Sequence, residues 1–376
     1  MAEPIAGKMQ EGVAQGVFPG AVLLVRHRGR TVHHEAYGHA CLVPEREPAT
    51  RDTVYDLASL TKPLAAATAL AVLAADGRIG LDDPLARFMP DLSQEDLGRA
   101  TLRHLLNHSA GLAAWRPFYE RIVPDGRRLR ETPLPTRQTA LYDAVHREPL
   151  VEPVGSRCVY SDLGYILLKE ILERVTGQEW AVFCHAMVFA KLSLRGLFYM
   201  SEEGPTGGVS IAGRRFAATE QDEWRGRLLR GEVHDEHAAV LGGVSAHAGL
   251  FGTAEAVAGA VGVWLAAVRG EASPLSSTWA KEFVRRQEIV PGSSWALGWD
   301  TPSTGPGGEP SSSGRFFSPA SFGHLGYAGT SVWADPEREL IVVLLTNRVH
   351  PTRKNDKIRA FRPALHDVIF QTVVGN

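Results

Sequence analysis

Apolar and polar positions fall into recognisable blocks along the chain. Near the N-terminus, Ala21-Val-Leu-Leu-Val25 leads through His27-Arg-Gly-Arg30 into Thr31-Val-His-His-Glu-Ala-Tyr37. Two apolar or alternating runs around a glycine-containing turn predict a β-hairpin. The segment Pro63 to Ala75 is rich in Ala and Leu and closes on Asp76-Gly77. That pattern predicts a buried helix with a glycine stop. Gly80-Leu-Asp-Asp-Pro-Leu85 predicts a turn entering a short helix.

From about residue 100 to 250 the pattern is helical, interrupted by long polar stretches. Leu102 to Asn107 and Leu163 to Val175 read as apolar helices, while 116–139 and 201–235 are rich in Arg, Gly, Pro and Glu. Ala254 to Val268 reads as a further apolar helix. Beyond residue 290 strands return at Trp295 to Trp299, Phe322 to Ala334 and Leu340 to Thr346. Residues 301–314 (TPSTGPGGEPSSSG) read as a mobile low-complexity loop. A last helix begins near Asn355. The expected fold is α+β: an antiparallel sheet built from both termini, flanked by helices, with an inserted, mostly helical lobe. The whole chain forms one unit, with residues 1–80 and 250–376 in the α/β lobe and 81–249 in the helical lobe.

Composition narrows the function. With 376 residues and 44% hydrophobic content, the chain can bury a large core. Its 40 basic and 42 acidic residues give a net charge of -2. No basic excess or stripe marks a nucleic-acid partner, and the arginines between Arg121 and Arg130 read as a solvated loop. Cys41, Cys158 and Cys184 are odd in number and widely spaced, which predicts three buried reduced thiols rather than a disulfide framework or zinc site. Apolar runs such as Ala21 to Val25 and Leu340 to Leu345 are too short to span a bilayer. The N-terminal residues show no charged region followed by an apolar one, so a cytoplasmic location is expected, or a periplasmic one if a leader has been trimmed. Neither a membrane nor a nucleic-acid partner is expected. Oligomeric state is not legible.

The sharpest chemical signal is Ser59-Leu-Thr-Lys62, ahead of the Ala-rich helix. A serine hydroxyl is a poor nucleophile until a neighbouring base activates it. On a helix, positions three apart share a face, so Lys62 reaches Ser59. Desolvation there would favour a lysine neutral often enough to accept the proton. Free N–H groups at the helix start suit a developing oxyanion. Alone, the motif equally describes a serine N-cap beside a surface lysine. Two further stretches add to it. Tyr160-Ser-Asp162 precedes the helix Leu163 to Val175 and offers a phenol for proton transfer, while Ser161 or Asp162 also suits an N-cap. His324-Leu-Gly326-Tyr327-Ala-Gly329 lies in the late strand, where Gly326 admits a substrate backbone and the Tyr327 N–H would complete an oxyanion hole with that of Ser59.

In this order, S-x-x-K after an N-terminal hairpin, Y-S-D in the helical middle and H-x-G on a late strand, the chain resembles the serine β-lactamase and penicillin-binding-protein superfamily. The likeness is nearest the class C branch, which also holds esterases, D-aminopeptidases and acyltransferases. Leu57-Ala-Ser-Leu-Thr-Lys-Pro63, His104-Leu-Leu-Asn-His-Ser-Ala-Gly-Leu112, Gly249-Leu-Phe-Gly-Thr-Ala254 and Gly329-Thr-Ser-Val-Trp-Ala-Asp-Pro336 support it, over roughly residues 15 to 370. The resemblance implies Ser59 as the acylated nucleophile, Lys62 as its base and Tyr160 as the phenol of Y-x-N, with His324 at the lysine position of K-T-G. Two departures matter. Asp162 stands where β-lactamases hold an amide, and His324 supplies less positive charge than a lysine. Both point away from an efficient β-lactamase, towards the branch's esterases and cell-wall-recycling amidases.

His234-Asp-Glu-His237 is expected as a loop at the cleft rim, where His234 or Asp235 meets a polar substrate; adjacent residues do not converge on one metal ion. His108 is expected in a structural hydrogen-bonding turn. No cofactor or metal is expected. The resulting reading is a serine hydrolase acting on a small ester or amide or on a peptidoglycan fragment. An acyltransferase differs only in the acceptor, and a silent binding protein would share the scaffold.

Overall fold

The computed structural model describes residues 3–92, 95–304, 308 and 311–375. The N-terminal hairpin forms as the pattern predicts: strand Gly20–His27 pairs antiparallel with Arg30–Cys41, setting Val25 opposite His33. Its other edge pairs with Leu340–Thr346, setting Leu23 opposite Leu344. Both ends of the chain therefore share one six-stranded sheet, in the order 322–325, 331–335, 340–346, 20–27, 30–41, 47–48.

The central strands read as unbroken apolar runs because both of their faces are covered. Ala21, Leu23, Val25, Val342 and Leu344 cluster with Met9, Phe361 and Leu365 from the terminal helices Glu3–Ala14 and Ile358–Val373. Val22, Leu24, Ile341, Val343 and Leu345 join the main core on the opposite face, with Val257, Val261 and Trp264 of helix Ala254–Arg269.

Several expected elements change shape. Phe322 to Ala334 is not one strand but two, Phe322–Leu325 and Ser331–Asp335, with His324 opposite Val332. The reversal needs its glycines: Gly329 has φ +104°, a region that disfavours a side chain. Trp295 to Trp299 is irregular, joined to Asp300 through a single bridge at Trp295 rather than a ladder among the described residues. The polar stretch 201–235 carries an unforeseen hairpin, Ala218–Asp222 with Arg227–Arg230. Its buried positions include Thr219, Glu220 and Asp222, so no apolar alternation marks it. The arginine-rich stretch holds helix Phe118–Ile122 and a 3-10 segment Gly126–Glu131, with Arg121, Arg127, Arg128 and Arg130 exposed. Residues 305–307 and 309–310 of the expected low-complexity loop lie outside the described residues.

One helix is longer than the apolar runs singled out above. Ala58–Ala75 has 18 residues and a mean hydropathy of 1.5, enough to cross a membrane by length and composition. It is 89% buried within the protein and serves as the core helix. All three cysteines are free; Cys41 and Cys184 are buried as expected, whereas Cys158 is half-buried.

Candidate active site

The core helix is irregular where the chemistry lies. It opens as a 3-10 turn, Ala58–Leu60, widens into a π segment, Lys62–Ala67, and becomes α-helical at Thr68–Ala75. Thr68 Oγ1 donates to the Pro63 carbonyl at 2.9 Å, supplying a partner where the ladder is widened. The entry is strained, since Ala58 is a non-glycine residue at φ +48°. Asp56 holds it: its carboxylate accepts the Ala58 N–H at 2.8 Å and the His234 N–H at 2.7 Å. Burial pushes the Asp56 carboxyl up, while these two donors pull it back. Sequence reasoning passed over Asp56. Its signal was a lone acid within the apolar run before Ser59.

Lys62 is fully buried beneath the nucleophile position. Its Nζ donates to Ser59 Oγ at 3.0 Å, to Asp162 Oδ1 at 2.6 Å and to the His247 carbonyl at 3.2 Å. Burial pulls the ammonium down, but Asp162 foremost and then Tyr160 push it up, and the net direction is upward. This corrects the expectation of a lysine often neutral. The pattern revealed the desolvation and not the counter-ion. Asp162 opens helix Asp162–Thr176, with Ser161 as N-cap accepting the Gly164 N–H at 3.3 Å. Y-S-D is therefore both a cap and part of the site.

Tyr160 presents its ring to Lys62, with Nζ 4.8 Å from the ring centroid. It is flanked by His108 and Trp295, whose ring centroids lie 4.5 and 5.3 Å away. Burial raises the phenol, the Lys62 ammonium and the Ser59 hydroxyl lower it, and the net direction is upward. His108 sits in a left-handed turn at φ +64° and accepts the Ser161 N–H at 3.1 Å on Nδ1. That bond pins the backbone beside Tyr160, as a structural turn would.

His324 lies 6.0 Å from Tyr160 between ring centroids, and its Nδ1 donates to the Leu325 carbonyl at 2.7 Å. Burial first, and the Lys62 charge second, push it down to about 3. The imidazole is neutral at pH 7, so Nε2 is an acceptor, and among the described residues it has no partner. Gly326 meets the nucleophile turn closely. A Cβ there would lie 2.7 Å from the Leu57 carbonyl and 2.0 Å from Thr330 Oγ1. The Tyr327 side chain is exposed and stacks on His234 at 5.9 Å.

The segment 234–237 departs from the rim loop expected. His234 is buried and its Nε2 bonds Glu220 at 2.9 Å. Asp235 N-caps the helix Glu236–Val240 and accepts from His247 Nε2 at 2.8 Å. Burial favours a raised Asp235 carboxyl, yet His247 and then His237 hold it well below the usual range. Each side chain has its own neighbours, and no group of three metal-ligating side chains converges among the described residues. Asp300, unremarked in the sequence, lines the same space, and burial pushes its carboxyl up to about 6.

Ser59, Tyr160, Asp162, His234, His324, Gly326 and Tyr327 all line one cavity of about 740 Å³, with Lys62 directly under Ser59. Residues from the nucleophile helix, the helical middle and the late strand meet there despite separations of 100 residues and more. A terminal-strand sheet, an inserted helical region and this serine–lysine pair define a serine hydrolase. The chain belongs to the Beta-lactamase family, whose model matches residues 5–365. It is 30% identical over 374 residues to an N-acetylmuramyl-L-alanine amidase of Bacillus subtilis (strain 168), covering 91% of this chain and 80% of the relative. It is 29% identical over 368 residues to a protein of Escherichia coli (strain K12) provisionally named D-alanyl-D-alanine carboxypeptidase, covering 91% and 82%. In fold it is similar to a class C beta-lactamase from Rhodobacter sphaeroides, with TM-score 0.72 and 20% identity over 99% of this chain and 100% of that one.

Proposed function

We propose that this hydrolase cuts an amide bond in a small peptidoglycan-type peptide, through an acyl group carried on Ser59. The observation that carries the reading is the fully buried Lys62 Nζ, 3.0 Å from Ser59 Oγ and 2.6 Å from Asp162. Relatives named for amidase and carboxypeptidase activity, each matching over 91% of the chain, support the peptide substrate.

In this reading Ser59 Oγ adds to the amide carbonyl. Lys62 takes the serine proton as it releases one of its own to Asp162, so the buried pair passes from net zero to net +1 and offsets the negative charge that develops on the carbonyl oxygen. The charge that develops on the carbonyl oxygen falls between the N–H groups of Ser59 and Tyr327. Tyr160 gives a proton to the departing amine and recovers one through Lys62. Water then attacks the acyl group by the reverse transfers. His324, neutral at pH 7, brings no positive charge to this part of the cavity for a substrate carboxylate.

The test is a panel of short D-alanyl peptides and muropeptides, p-nitrophenyl acetate and nitrocefin, with amine release and ester cleavage followed in parallel. Peptide hydrolysis that disappears in Ser59→Ala supports the reading. Rapid nitrocefin turnover with intact peptides overturns it.

A further inference from the structure

An ammonium has three N–H groups, and those of Lys62 go to Ser59 Oγ, Asp162 Oδ1 and the His247 carbonyl at 3.0, 2.6 and 3.2 Å. Once one proton has passed to Asp162, Nζ keeps two N–H groups and one lone pair. The lone pair accepts the Ser59 proton only if it faces Oγ, so both N–H groups must point elsewhere. The Asp162 carboxyl, which keeps acceptor capacity when protonated, takes one. The His247 carbonyl gives the other a fixed acceptor. Unlike the Tyr160 hydroxyl, which also faces Lys62, a backbone carbonyl has no proton to trade. Without it an N–H stays on Oγ, and the lysine donates where it has to accept.

That carbonyl sits in a segment with few polar ties of its own. Among the described residues, no backbone–backbone hydrogen bond reaches 244–248. The segment closes on itself, since a Cβ added at Gly249 would lie 2.5 Å from the Gly243 carbonyl. Only beyond it is the chain tied to the nucleophile turn, by the Leu250 N–H to Thr61 Oγ1 at 3.1 Å and the Leu57 N–H to the Leu250 carbonyl at 2.9 Å. Within the segment the anchor is the His247 ring, which is buried. Its Nδ1 lies 2.7 Å from Ser245 Oγ, and its Nε2 donates to Asp235 Oδ1 at 2.8 Å. Asp235 is itself immobilised, because the same oxygen caps helix Glu236–Val240 through the Ala238 N–H at 2.8 Å. The ring therefore ties a segment of small residues to a helix cap, and the carbonyl of the same residue meets Lys62.

We infer that His247 is a positioning residue for acylation: its ring, braced by Ser245 and Asp235, sets its own carbonyl on Lys62 so that the lysine's lone pair faces Ser59. The inference rests on the acylation of Ser59 with Lys62 as its base, and not on which substrate is cut.

The test is the rate at which a fluorophosphonate labels Ser59 in the whole chain, followed by intact mass, with p-nitrophenyl acetate kinetics alongside. His247→Ala keeps the carbonyl but frees it, and should slow labelling and kcat by roughly 10- to 100-fold with KM within about twofold. In a Lys62→Met background the same substitution should cost less than about threefold, because a residue that acts through Lys62 then has nothing to position. Asp235→Asn retains an acceptor for the ring and a capping oxygen, so it should stay within about threefold of wild type while Asp235→Ala falls with His247→Ala. That pair carries the test if His247→Ala does not fold. Labelling at the wild-type rate in His247→Ala, an equal loss with and without Lys62, or Asp235→Asn as slow as Asp235→Ala overturns the positioning role. Labelling at the wild-type rate in Lys62→Met sinks the acylation reading instead.

Discussion

Asp162→Asn isolates the charge on which the proton inventory depends. Asn keeps the shape and an acceptor for Lys62 Nζ but removes the counter-ion. At the observed 2.6 Å and an effective dielectric near 20, the lost attraction is about 6 kcal/mol. Part of it only offsets the cost of burying the ammonium, and the amide recovers a hydrogen bond. The net loss should be about 3 kcal/mol near pH 7, in the range for breaking one side of a buried pair, or roughly 5 °C in thermal midpoint for a chain of this size. The pH dependence has a definite sign. In wild type Lys62 is raised above its unfolded value, so its contribution is fully present below pH 10.5 and is lost only as pH climbs through the folded value. In the variant burial acts without Asp162 and pulls the lysine down. Protonation then opposes folding, and the penalty shrinks as pH rises from 7 towards 10. Thermal midpoints of both proteins across pH 6 to 10 check this. A midpoint difference within about 1 °C that does not change with pH would refute the idea that Lys62 is a buried ammonium neutralised by Asp162.

Tyr160→Phe should lower kcat by roughly 10²- to 10³-fold with little change in thermal midpoint, because it removes one hydroxyl that moves a proton; steady-state kinetics and a melting curve decide. Gly326→Ala should cut kcat/KM by at least about tenfold, since a Cβ 2.7 Å from the Leu57 carbonyl forces the late strand away from the nucleophile turn; Gly259→Ala, in helix Ala254–Arg269 where an added Cβ meets nothing within 4 Å, serves as the folding control. His324 is held to about 3, so between pH 5 and 8 its ionisation adds no limb to the pH–rate profile, and His324→Asn should shift amplitude without moving any inflection in that range.

Much of this arrangement was readable before any coordinates. Ser59, Lys62, Tyr160 and Gly326 stood out because each motif demands a residue type at a fixed spacing, and the two apolar terminal segments had only each other to pair with. What escaped notice was polar and buried. The hairpin Ala218–Asp222/Arg227–Arg230 buries Thr219, Glu220 and Asp222, which a hydrophobic pattern reads as solvent. Asp56 acts through two backbone N–H groups, one of them 178 residues away, so spacing carries no trace of it. Lys62 was read as a desolvated amine because sequence reports burial more readily than the partner that neutralises it.

The central claim is that the serine–lysine pair performs acylation. Intact mass spectrometry of the protein during p-nitrophenyl acetate turnover, or after a fluorophosphonate probe, tests it directly. One covalent adduct should form in wild type, map to Ser59, vanish in Ser59→Ala and form at least about 10³-fold more slowly in Lys62→Met. Labelling that persists at another residue in Ser59→Ala, or that proceeds at the wild-type rate without Lys62, would contradict it.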